Sequence, residues 1–219
     1  MLKATTSGRV QVRRSARYKG RAKRVVTLDM TTSAFLTRLT DTVARYRAQI
    51  AGPREHLSLL RWQIGEGHAL DSRDCFPGHV TTSAYVLSPD HTRILLIDHV
   101  VIGRWLQPGG HWEEAATFAE SAAREALEET GVQGLRLHPW HAGGDIPFVI
   151  DSHDVPGKPA RNEPAHVHHD LQYLFLADPG SALVAQIEEV HAAAWKPLAE
   201  LADIAPLGLA RIRTLTPPG

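Results

Sequence analysis

The stretch that decides the reading runs from Gly109 to Val132, GGHWEEAATFAESAAREALEETGV. A helix is predicted from Thr117 to Thr130, because Gly131 just past it can take the left-handed conformation that closes a last turn. Ala119, Ala122, Ala123 and Ala126 recur at helical spacing and form a flat face that lets the backbone lie close to a sheet. Glu125 stands three residues before Glu128 and four before Glu129, so three carboxylates crowd one side near the helix C-terminus. Like charges repel at that spacing, and the macrodipole disfavours anions there by roughly a few tenths of a kcal/mol each. A divalent cation reverses the sign of both terms, and clustered hard oxygen ligands suit Mg²⁺ or Mn²⁺. Spacing alone fits a solvated acidic face equally well.

The flanking residues favour the metal. Gly110, Arg124, Glu125, Glu128, Glu129, Gly131 and Val132 stand where the Nudix box has its glycine, its Arg-Glu pair, its Glu-Glu pair and its closing glycine-aliphatic. The chain therefore resembles a Nudix hydrolase, a family that cleaves nucleoside diphosphates linked to another moiety. One position departs: Ala116 stands where the box carries its first glutamate, with Glu113 and Glu114 shortly before it. In the family that glutamate braces the loop and the box arginine, and Glu120, four residues before Arg124, is the expected substitute.

The resemblance implies an α/β (α+β) fold, a Nudix-type α/β/α sandwich with a mixed sheet. It also implies Mg²⁺ or Mn²⁺ held by Glu125, Glu128, Glu129 and the backbone carbonyl of Gly109. Arg124 orients a neighbouring carboxylate, and Glu125 is the first choice to activate water, with Glu163 and Asp170 in reserve.

Composition bounds the rest. A chain of 219 residues with 43% hydrophobic content can bury a core, and its zero formal net charge gives no global pull towards nucleic acid or anionic membrane. A lone Cys75 excludes an internal disulfide framework and fits a reducing compartment. No apolar run approaches the roughly 18 residues of a membrane span, and no signal-peptide core follows the N-terminus. Cytoplasmic location is the default expectation.

In chain order, residues 1–30 form a basic arm, with no acid before Asp29 and no amphipathic period. It fits an unstructured tail or an upstream extension of the reading frame, and no function is assigned to it. Residues 31–77 read as an N-terminal helical extension. Thr31, Thr32 and Ser33 offer N-caps to a helix with Leu36, Leu39, Val43, Tyr46 and Ile50 on one stripe, and a second helical piece covers Arg54 to Ile64. The pair is expected to dock on the catalytic domain or to form a homodimer contact, and its stripe fits core packing best. Residues 78–219 form the catalytic domain. Strands are predicted in HVTTSAYVLS from His79 and in RILLIDH from Arg93, then from Leu135 to Trp140, His166 to Ala177 and Val190 to Trp195. Gly143 to Pro164 reads as a long loop, with helical turns after Pro197 and from Leu207 to Ile212.

Strand alternation puts His166, His168 and Asp170 on one face, where two histidines can hold a transition metal or contact phosphate. The same histidines fit a purely structural, hydrogen-bonded role, but some bacterial Nudix proteins that look like this one share a His-x-His-x-Asp strand and an N-terminal helical extension, a resemblance that favours the substrate cleft for these residues. Trp105, Trp112, Trp140 and Phe148 are the aromatics available to sandwich a base. The expected substrate is a small-molecule nucleotide or other diphosphate. Ala116 motivates an alternative, a nucleotide-binding or regulatory protein that has lost turnover; an isomerase acting on isopentenyl diphosphate fits less well, since the Arg-Glu and Glu-Glu sets are retained.

Overall fold

The computed structural model describes residues 30–50, 55–159, 162–185 and 190–217. The basic arm lies outside them, apart from Met30, where the first helix begins. The elements run α1 (Met30–Gln49), α2 (Ser58–Glu66), β1 (Gly78–Leu87), β2 (Arg93–His99), β3 (Arg104–Leu106), β4 (Gly109–His111), α3 (Phe118–Thr130), β5 (Arg136–Leu137), β6 (Val149–Val155), β7 (His166–Leu176), β8 (Val190–Pro197) and α4 (Pro206–Ile212).

The sheet is mixed, and β1 organises it. This strand pairs in parallel with β7 over its whole length, antiparallel with β4 through Thr81, Thr82 and Ser83, and with β2 at its far end. All ten of its residues are buried, so both faces of the sheet are covered. On one face Val80, Ala84 and Val86 pack with Ala119, Ala122 and Ala126 of α3 and with Phe35, Leu39, Val43 and Leu60 of α1 and α2. On the other face Tyr85 and Leu87 pack with Phe148, Leu174 and Leu176 and with Leu209 and Ile212 of α4. Helical layers on both sides of a mixed sheet give the α/β/α sandwich.

The alanine face of α3 behaves as small side chains require, with Ala122 and Ala126 fully buried against β1. The apolar stripe of α1 is covered within the chain, since Leu39, Val43 and Tyr46 are all buried in the shared core. Fully burying a side chain of this size contributes about 1.5–3 kcal/mol. Polar contacts fix the same docking: the Thr32 hydroxyl donates to Asp71 at 3.0 Å, and Arg38 donates to the Ala115 carbonyl at 2.8 Å.

Three local expectations need correction. Because α1 already begins at Met30, Thr31, Thr32 and Ser33 lie in its first turn rather than ahead of it. The strand expected from Leu135 to Trp140 shrinks to Arg136–Leu137, because Pro139 cannot donate to a ladder and opens a 3₁₀ turn through Gly143. The long loop from Gly143 to Pro164 contains β6, which pairs antiparallel with β7 from Val149↔Gln172 to Val155↔His166. Its sequence, VIDSHDV, is polar at alternate and adjacent positions, so composition hid a strand whose pairing supplies the regularity.

Candidate active site

The carboxylate site is built on α3. Thr117 caps the helix by accepting from the Glu120 N–H, and Asp145, a distant residue, accepts from the Phe118 and Ala119 N–H groups at 3.1 and 3.3 Å. At the other end Gly131 takes φ +64° and donates to the Leu127 carbonyl. Both ends are therefore fixed, and the glutamates keep their phase around the axis.

Glu129 is buried and accepts from the Gly109 N–H at 2.9 Å, which ties the helix to the β4 glycine pair. Gly110 leaves the space that the Glu125 carboxylate occupies; a Cβ at this position would overlap Glu125 Oε2. Burial raises the Glu125 pKa to about 7, against the lowering effect of Arg124 and with a further rise from Glu128. Arg124 stands among three acids, with nitrogens 3.5 Å from Glu113, 3.5 Å from Glu125 and 3.7 Å from Glu128. It thus offsets the repulsion that the helical spacing creates.

The expected partner of Arg124 is corrected here. Glu120 turns back to accept the Ala116 N–H at 3.0 Å, and Glu113 from the preceding loop pairs with the arginine. Arg38 holds the adjacent Ala115 carbonyl, so three side chains brace the loop at the position where Ala116 lacks a carboxylate.

The strand residues lie on the opposite face of the sheet. Thr82 contacts Ser121 of α3, whereas Thr81 and Ser83, one residue to either side, donate to Asp170 at 3.2 and 2.7 Å. Asp170 is buried, also accepts from Gln172, and has its pKa raised by burial against those hydrogen bonds. His166 and His168 adjoin each other on this face with His79 and His111. Beside them Arg73, Phe76, His79, His111 and Glu163 line a cavity of about 190 Å³. The border between the two regions is one peptide unit wide, since His111 directly follows Gly110.

The aromatics go elsewhere. Trp105 packs against the second core with the Lys196 ammonium 4.2 Å from its ring centre. Trp112 packs on Phe35 and Phe118, and Trp140 on Phe148. Phe76, which sequence reasoning passed over, is the aromatic at the cavity, its ring centre 5.5 Å from that of His166. His79, His111 and Asp145 were also missed. Their roles depend on strand pairing and on a contact 27 residues from the helix start, and no local spacing announces either.

A family model described as the NUDIX domain matches residues 77–215. Phosphatase NudJ of Escherichia coli strain K12 is 36% identical over 81 residues, covering 34% of this chain and 52% of that protein. The chain thus spans about half the length of the curated relatives it matches. Among solved structures, a Caenorhabditis elegans Ap4A hydrolase binary complex aligns at 15% identity and TM-score 0.45, over 61% of this chain and 92% of that one. A NUDIX-family hydrolase from Clostridium perfringens aligns at 19% identity and TM-score 0.43, over 62% and 96%.

Proposed function

The chain belongs to the Nudix family, and from that premise we propose that it is a divalent-metal-dependent hydrolase of the pyrophosphate bond in a nucleoside diphosphate linked to another group. One observation carries the proposal: Glu125, Glu128 and Glu129 share one end of α3, Glu125 against Gly110 and Glu129 against Gly109, while Arg124 pairs with Glu125, Glu128 and Glu113, the last replacing its missing box partner.

The donor set fits Mg²⁺ or Mn²⁺, being all oxygen and mostly carboxylate, and Gly110 leaves room for the Glu125 carboxylate. Glu125, Glu128, Glu129 and the Gly109 carbonyl would hold the ion. When bound, it would neutralise phosphate charge and lower the pKa of a coordinated water. The protein's own contribution is positional. Glu129 fixes Gly109 through its N–H, Arg124 holds Glu125 and Glu128 in phase, and Glu125 would be the carboxylate that accepts a proton from the attacking water. The phosphates would lie over the carboxylates, and the rest of the substrate towards the neighbouring histidine face, where Phe76 and His111 line the cavity. Among the described residues no helix is long and apolar enough to cross a membrane, which is compatible with the cytoplasmic setting this reading includes.

A panel of nucleoside diphosphate derivatives, assayed for phosphate-linked products with Mg²⁺ or Mn²⁺, tests the reading. Turnover that Glu129→Gln abolishes is the expected result. Unchanged turnover in that variant removes the metal assignment, and tight binding without cleavage across the panel favours the non-hydrolytic alternative raised by Ala116.

A further inference from the structure

We propose that His79, His166 and His168 form a second metal site, one that takes a transition ion such as Zn²⁺, on the sheet face opposite the box carboxylates. A ring nitrogen from each of the three lies within 4.8 Å of the other two. His166 Nε2 and His168 Nε2 are 3.2 Å apart. Two imidazoles on a tetrahedral Zn²⁺ with Zn–N near 2.0–2.1 Å hold their nitrogens about 3.4 Å apart. That pair is already at ligand spacing, and His79 closes the triangle by a side-chain adjustment.

The far sides of two rings are set as metal-binding histidines require. His166 Nδ1 lies 2.9 Å from the Pro164 carbonyl and His79 Nδ1 lies 3.3 Å from the Cys75 carbonyl. A carbonyl only accepts, so each Nδ1 carries the hydrogen and each Nε2 presents its lone pair. Backbone carbonyls in this outer position fix the tautomer and ring orientation of metal-ligating imidazoles. His79 Nε2 is the telling atom: it is buried, in a residue 2% exposed, and has no hydrogen-bond partner. A proton between His166 and His168 satisfies that pair and leaves His79 Nε2 unsatisfied, whereas one metal ion satisfies all three.

The fold supplies the rest. His79 and His168 are register partners across the parallel β1–β7 pair, and His166 lies two residues earlier on the same face. Glu163 Oε1 is 3.8 Å from His166 Nε2 and lines the adjacent cavity, so either this carboxylate or a water from the cavity is positioned to complete four-coordination. Imidazole ligands select Zn²⁺, Cu²⁺ or Ni²⁺ over the hard ions suited to the carboxylates. The two sites therefore differ in metal class as well as in sheet face.

Metal content tests this without reference to hydrolysis. The full chain is stripped with a chelator, equilibrated with Zn²⁺ and assayed by mass spectrometry of the metal, with a Glu125→Gln, Glu129→Gln double variant to silence the carboxylates. About one equivalent is expected to remain in that variant, and zinc X-ray absorption of the bound ion is expected to show a nitrogen-rich, imidazole-containing shell. In the same background, His79→Gln and His168→Gln are each expected to weaken Zn²⁺ binding by more than the roughly 10–100-fold that outer-shell changes cost. Failure of the folded double variant to retain Zn²⁺, or an oxygen-only shell around the retained ion, overturns the proposal; neither reading depends on whether the histidine variants fold.

Discussion

Gly110 and His111 are neighbours in a three-residue strand, yet they belong to opposite chemical solutions of one problem, the crowding of like groups. On the Gly110 side three carboxylates gather, and the chain answers with a cation and a partly open position: Arg124 stands within 3.7 Å of three acids, and Glu128 remains more than half exposed. On the His111 side the crowded groups are imidazoles, which can give up their charge. Burial, helped by His79, lowers the pKa of His111 to about 4, and the cluster needs no counterion. The carboxylates keep an arginine and one exposed member beside a buried and a partly buried one, while the imidazoles, which can become neutral, gather without needing a counterion.

The contrast can be broken in several places. Gly110→Ala should have the largest effect, since a Cβ there displaces the Glu125 carboxylate; a loss in kcat/KM on the order of a hundredfold is expected, as for other misplacements of about 1 Å. An unchanged rate would show that Glu125 tolerates displacement. Asp170→Ala comes next, on the buried side. It leaves Thr81, Ser83 and Gln172 without their shared acceptor and should cost about 1–3 kcal/mol in urea unfolding, while Glu128→Ala on the exposed side should stay within about 0.5 kcal/mol. If the two cost the same, burial does not separate the faces. Asp145→Ala removes a cap from the helix that carries the carboxylates and should cost about 0.5–2 kcal/mol by the same measurement.

The smallest effect is one of pH. His141 donates through Nδ1 to the Ile146 carbonyl and accepts the Leu174 N–H at Nε2, so both nitrogens are committed to the neutral ring. Burial lowers its pKa to about 4 from an ordinary 6.5. The unfolded chain therefore binds this proton first as pH falls, and the contribution to stability is complete above about 6.5 and lost progressively towards 4. Unfolding curves across that window should flatten in His141→Gln; an unaltered slope would assign the acid sensitivity to other groups.

What was legible in the sequence follows the same division. The helix and its three carboxylates were readable because everything that defines them lies within one 24-residue stretch with its own glycine stop. Strands β1, β2 and β7 were readable from their β-branched and apolar runs. β6 was not, because VIDSHDV becomes a strand only by pairing with β7. The partner of Arg124 escaped for a related reason. Helical spacing put Glu120 within reach, but the Ala116 N–H lay nearer to its carboxylate, and Glu113 arrived from a loop whose path no local rule fixes. His79 and His111 joined His166 and His168 through register across strands far apart in the chain.

The parallel pairing of β1 with β7 sets what kinds of change this protein can absorb. Residues 79 and 168 meet through hydrogen bonding between strands, so the chain between the strands can gain or lose length in its turns while their meeting point stays fixed. A shift of one residue within β7 itself is a different matter. It would turn His166, His168 and Asp170 together to the helix side and bring Val167 and His169 into their places. Insertions should therefore be tolerated in the connections and forbidden in one eleven-residue strand.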